Sequence, residues 1–149
     1  MKTGGRFRFP LETVLKVRIL REDLARLELA RAQGQLARSR QALMDTESHI
    51  SATLGRIKEP SSRQWQASEY QMVFSYIEHL KRAREGWQER VAQDEKIVSD
   101  KMRALEKCHQ ERRLLENLRG KRYLEYRRDL TKFLENQSEA IVLARWSTS

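Results

Sequence analysis

Residues 29–62 read LARAQGQLARSRQALMDTESHISATLGRIKEPSS, and within them Leu29, Leu36, Leu43, Ile50 and Ile57 recur every seven positions. Apolar residues at that interval keep to one side of a helix only if it supercoils about a partner, so this series predicts a coiled-coil seam. The stretch also contains its own end. Pro60 disfavours helix at its predecessor and has no N–H with which to continue one, so the helix is predicted to stop near residue 58. Toward the N-terminus, Pro10 suits a first helical turn, and Glu12 puts negative charge near the positive end of the helix dipole. Helix 1 is therefore expected over about 10–58. In its first half Val17, Leu20, Leu24 and Leu27 step by three, four and three, out of phase with the later leucines. The seam is expected to shift across the helix within the small-residue stretch of Ala30, Ala32, Gly34 and Ala37.

Beyond the break, Ser61 with Gln64 and Ser68 with Gln71 have capping-box spacing, which places the second helix start between 61 and 69. Helix 2, expected over about 68–143, carries Val73, Ile77, Leu80, Arg84, Trp87, Val91, Asp94, Val98, Lys101, Leu105, Cys108, Arg112 and Leu115 in steps of four and three. The pattern continues through Tyr126, Leu130, Phe133 and Ile141. Arg84, Asp94, Lys101 and Arg112 are expected to snorkel or to fix the register, and Trp87 to pack in the seam. A connection of about 59–67 forces antiparallel neighbours. With Ile57 opposite residue 69, paired residue numbers sum to about 126 and Leu11 meets Leu115. The fold class predicted is all-α: a long antiparallel two-helix coiled-coil hairpin with helix 2 longer than helix 1, a single domain over 1–149 with flexible tails at 1–9 and 144–149. Past about residue 125 helix 2 has no partner, so Leu130, Phe133, Leu134, Ile141, Val142 and Trp146 form a candidate docking surface.

Composition agrees. The chain of 149 residues is 34% charged and 39% hydrophobic, which suits a narrow apolar stripe better than a wide core. No run approaches the ~18 apolar residues of a membrane span, and no secretory signal is read. His49, His79 and His109 lack the close helical pairing of zinc motifs, and neither Gly34 nor Gly55 opens a phosphate loop. No catalytic, cofactor or metal site is expected. Cys108, the one cysteine, is read as a small seam residue and suits a reducing compartment.

The net charge of +9 is uneven: residues 1–10 hold three basic residues and no acid, and residues 101–128 hold ten basic and four acidic residues. In an antiparallel hairpin both segments fall at the end where the termini lie. Such an end suits an acidic protein cavity through charge steering. Nucleic acid is disfavoured because Glu106, Glu111, Glu116 and Glu125 interrupt the basic run and no base-reading motif accompanies it.

Three stretches resemble one family. Phe7-Arg-Phe-Pro-Leu-Glu-Thr-Val-Leu-Lys-Val-Arg, with Glu22 and the Ala/Leu run to Leu36, is similar to the N-terminal pattern F-x-F-x-L-x-x-[VL]-L-x-x-[RK] of the flagellar export protein FliJ family. Tyr70, Val73, Ile77 and Leu80 resemble its second helix start, and Lys121-Arg-Tyr-Leu-Glu-Tyr-Arg-Arg-Asp-Leu through Ala140 its closing helix. Asn136–Ala140 departs from the E-Q-K-x-x-D-E of many relatives. The resemblance implies a non-enzymatic coiled-coil stalk of flagellar type III export, similar to the rotor stalk of rotary ATPases. It implies a cytoplasmic protein peripheral to the inner membrane, a monomer or weak homo-oligomer, partnered by the export ATPase hexamer, the export gate membrane protein and substrate chaperones. Carried onto this chain, it gives Val73, Phe74, Ile77, Leu80 and Arg84 as the gate-facing stretch. It gives Arg6, Arg8, Arg119, Lys121, Arg122, Arg127, Arg128, Leu130 and Phe133 as the ring-facing end. The equivalent stalk of a virulence injectisome shares this layout, and an export chaperone that binds substrate directly through Trp65, Trp87 or the apolar tail is the alternative of a different class.

Overall fold

A computed structural model describes residues 5–148. Helix α1 runs Glu12–Lys58, a 3-10 helix spans Pro60–Gln64, and helix α2 runs Ala67–Ser147. The described residues contain no strand, and the chain is a two-helix hairpin whose second helix is the longer. Its contacts divide into two units: the described residues up to Leu24 with those from Glu106 onward, and Ala25–Leu105.

In the Ala25–Leu105 unit the predicted seam is present on both helices. Leu36 and Ile50 are buried and Leu29, Leu43 and Ile57 half-buried on α1, while Ile77 and Leu80 are buried on α2. Between the α1 leucines lie Ala25, Ala32, Ser39, Thr46 and Thr53, all buried or half-buried. The second position of each heptad is thus small or polar. Its hydroxyls are satisfied locally: Ser39, Thr46 and Thr53 donate to the carbonyls of Gln35, Ala42 and His49, one turn back. Across the seam the buried Asp94 carboxylate shares that one Ser39 proton with the Gln35 carbonyl, Lys101 reaches Glu28 at 3.1 Å, and Arg40 reaches Glu95 at 3.2 Å. Arg84 is half-buried, and its Nε has no hydrogen-bond partner. Trp87 occupies its predicted place but remains 37% exposed. An indole is too wide for a seam covered from one side only.

The other unit corrects the reading of the first half of helix 1. Leu20 is 67% exposed, and Val17, Leu24 and Leu27 are exposed as well. The residues that face α2 are Leu15, 5% exposed, and Glu22, 2% exposed, with Arg18 half-buried beside them. These continue the Leu29–Ile57 series backward in steps of seven, so the seam keeps one phase. A glutamate at a seam position concealed this continuity, and an exposed apolar stripe imitated the seam.

Register is corrected too. Glu12 pairs with Arg119, Arg18 with Glu111, and Ser39 with Asp94, so paired residue numbers sum to 131, 129 and 133 where 126 was expected. Leu11 consequently lies by Leu118, with which it lines one groove, beyond the Leu115 expected. The cause is the connection. Residues 60–64 are wound into a 3-10 helix whose Ser62 hydroxyl donates to the Ile57 carbonyl of α1 at 2.7 Å, while the Ser62 carbonyl accepts from the Tyr70 hydroxyl of α2, so these residues add length before α2 begins. Neither predicted capping box forms: Ser61 turns to Glu59 at 3.5 Å, and α2 opens with the amides of Glu69 and Tyr70 on the Gln66 carbonyl. Residues 5–9 are no loose tail. Phe9 is buried and Phe7 half-buried against α2, and α2 itself continues through residue 147, where a tail was expected.

Candidate partner-binding surfaces

The basic segment of α2 carries an aromatic ladder that pins the N-terminal segment. Phe7 meets Tyr123 edge-on at 5.3 Å between centroids and Tyr126 at 5.6 Å, and the two tyrosines stack at 6.4 Å. The Tyr126 hydroxyl donates to the Gly5 carbonyl at 2.5 Å. Arg119 lies over the Phe7 ring, 5.7 Å from its centroid, and pairs with Glu12 at 2.9 Å. Sequence reading placed Arg119 among the ring-facing cations. Its geometry gives it a structural task as well, since it ties α1, α2 and the N-terminal segment together.

Other cations of that set are not engaged. Arg6, Arg8, Lys121, Arg127 and Arg128 are exposed, and among the described residues none has an ion-pair partner. Arg122 makes only a 3.8 Å contact with Glu125. Leu130 and Phe133 are half-buried, whereas Leu134, Ile141, Val142, Leu143 and Trp146 are exposed.

Below this cationic region lies the Glu22 cluster. Glu22 accepts from Arg112, and His109 Nδ1 approaches it at 3.1 Å. Arg112 also reaches Glu116 at 2.7 Å. Hydrogen bonding to Glu22 and then to Glu116 holds the Arg112 guanidinium above its ordinary pKa, so it keeps its charge. Sequence reading found Arg112 as a charged seam position and missed its partner. The available signal was the seven-residue spacing from Leu29 back to Glu22.

In the other unit, the predicted gate-facing residues are divided by burial. Ile77 is 3% exposed, Leu80 is buried, and Val73 and Arg84 are half-buried, so these belong to the hairpin's own seam. Phe74, 53% exposed, is the member offered to solvent, and Met72 and Tyr76 are exposed on the other side of the helix. Sequence reading did not single out those two. Trp65 is half-buried on Tyr70, with centroids 5.3 Å apart.

No three His, Cys, Asp or Glu side chains converge on a point among the described residues, and no helix is long and apolar enough to cross a membrane. What the fold presents is a helical hairpin with a cationic surface in one unit and exposed apolar side chains, Phe74 among them, in the other: the class of coiled-coil proteins that act through contacts with other proteins. The family of the flagellar FliJ protein matches residues 7–138, and the chain belongs to that family. It is accordingly a component of flagellar type III protein export. No match is found among curated proteins or among solved structures.

Proposed function

We propose that this chain is a stalk of the export apparatus: its cationic unit binds the export ATPase ring, its Phe74 region binds the membrane protein of the export gate, and it escorts substrate chaperones between them. The observation that carries the ring assignment is the set of five unneutralised cations, Arg6, Arg8, Lys121, Arg127 and Arg128, around the pinned N-terminal segment. Charges left without intramolecular partners have no ion pair to break when they meet an acidic channel, and they steer encounter. The hairpin carries no chemistry in this reading, because a stalk acts on the catalytic machinery of its partner. The gate assignment rests on Phe74, whose exposure costs solvation free energy that a protein partner would recover.

Site-specific photocrosslinking to the purified ATPase tests the ring assignment. A crosslinker at Arg128 is expected to capture the ring, and one at Gln66 is not. Capture from Gln66 alone would reverse the assignment.

A further inference from the structure

Where the N-terminal segment crosses α2, the two enclose a groove of about 670 Å³. Its floor is apolar: Phe9 is buried, Leu118 and Tyr126 are half-buried, and Leu11 stays 37% exposed at the edge. Its rim carries Arg6, Arg8 and Arg122 against the single carboxylate of Asp129. Arg6 and Arg8 have no ion-pair partner among the described residues. A concave apolar floor under a rim of net positive charge has the makeup of a recognition site, in which burial supplies affinity and a few placed charges supply orientation.

We infer that this groove binds an acidic peptide segment of a partner protein, with one apolar side chain on the floor and flanking carboxylates on the rim arginines. Nucleic acid fits it less well. The faces on which bases would stack are already used, because Phe7, Tyr123 and Tyr126 pack on one another and Arg119 covers Phe7. Asp129 would also oppose a continuous phosphate backbone, whereas separated carboxylates can avoid it. A second copy docking through this same end would bring its own cationic rim to the groove and be repelled. This recognition does not depend on the ring assignment, since the groove has the same chemistry whichever protein supplies the segment.

The test uses the full chain and three fluorescein-labelled probes read by anisotropy at low salt: the peptides GDEFED and GDEGED, and a thymidine hexanucleotide. The phenylalanine peptide is expected to bind at least about tenfold more tightly than the other two. Arg8→Glu is expected to weaken it by about tenfold or more, and Arg127→Glu, equally exposed but outside the groove, by less than about twofold. Both substitutions lie on exposed side chains, and thermal melting confirms that the fold is intact. Equal binding of the two peptides, equal binding of the oligonucleotide, equal loss from the two substitutions, or no binding at about millimolar peptide would each overturn the inference.

Discussion

Arg112 on α2 donates to Glu22 on α1, a carboxylate that keeps only 2% of its surface in solvent. The pair stands at a seam position where leucine would ordinarily sit, and Arg112 is held above its ordinary pKa mainly by its hydrogen bond to Glu22. A base whose pKa is raised on folding stabilises the fold at every pH below its unfolded value. That contribution is lost only as pH rises through the still higher folded value, and for an arginine both lie beyond ordinary alkaline buffers. The melting temperature of Arg112→Met is therefore expected to fall below wild type by the same interval at about pH 8 and at about pH 10. A gap that closes on the way to the higher pH would mean that another group titrates in place of the ion pair.

Two leucines five residues apart distinguish the observed seam from the one suggested by hydropathy. Leu15 is buried against α2, so Leu15→Ala should cost about 2–5 kcal/mol through lost transfer energy and a cavity. Leu20 belongs to the exposed stripe, and Leu20→Ala should stay within about 0.5 kcal/mol of wild type. Urea denaturation measures both, and reversed magnitudes would restore the phase-shifted seam.

That pair also marks how far the sequence could be read. The α2 seam from Val73 to Leu115 was legible position by position, because its apolar residues are spaced closely enough to fix the phase. On α1 only the leucine half of each heptad gave a signal, since Ser39, Thr46 and Thr53 face the partner without looking apolar and Ala25 is too small to mark a seam. Glu22 then broke the leucine series at the point where Leu20 and Leu24 offered a false one. The end of α1 was legible from Pro60, but the 3-10 winding of residues 60–64 has no spacing rule of its own, and it moved the register. Among the candidate site residues, charge alone identified the cations. Which were already occupied, as Arg119 is, depended on Phe7 and Glu12 across the hairpin.

The buried bond between Ser39 and Asp94 should behave as a register lock. Ser39→Ala removes the hydroxyl and leaves a carboxylate that is 4% exposed with Arg90, 3.6 Å away, as its remaining ion-pair partner, which should cost about 1–3 kcal/mol. Replacing both, Ser39→Ala with Asp94→Leu, removes the unsatisfied group and should recover most of that loss. A double-mutant cycle by thermal melting reads the coupling. Additive losses would show that the two side chains act independently.

Phe74 and Ile77 stand three residues apart on α2 but should fail in different assays. Ile77→Ala opens the seam and should lower stability by about 2–5 kcal/mol, carrying any binding loss with it. Phe74→Ala removes an exposed ring and should leave the melting curve within about 0.5 kcal/mol of wild type while reducing capture of the gate protein in pull-down. Undiminished capture by Phe74→Ala would remove Phe74 from the gate assignment.

The cations divide in the same way, which allows charge steering to be separated from architecture. Lys121, Arg127 and Arg128 are exposed and carry no ion pair among the described residues, so their triple replacement by glutamine should leave the hairpin's stability unchanged. If they guide the chain to an acidic partner, the loss should appear mainly in the association rate. It should be large at about 50 mM salt and shrink toward about 500 mM, where the screening length falls to roughly 4 Å. Arg119→Gln alters the same net charge by one unit, yet it also releases Glu12 and uncovers Phe7. Its effect should therefore persist at high salt and include a lower melting temperature. Stopped-flow association with the purified export ATPase across that salt range compares the two. A triple-variant loss that persists undiminished at about 500 mM salt would mean that the free cations play no part in steering, and an Arg119→Gln loss that vanishes there would mean that Arg119 contributes by charge alone.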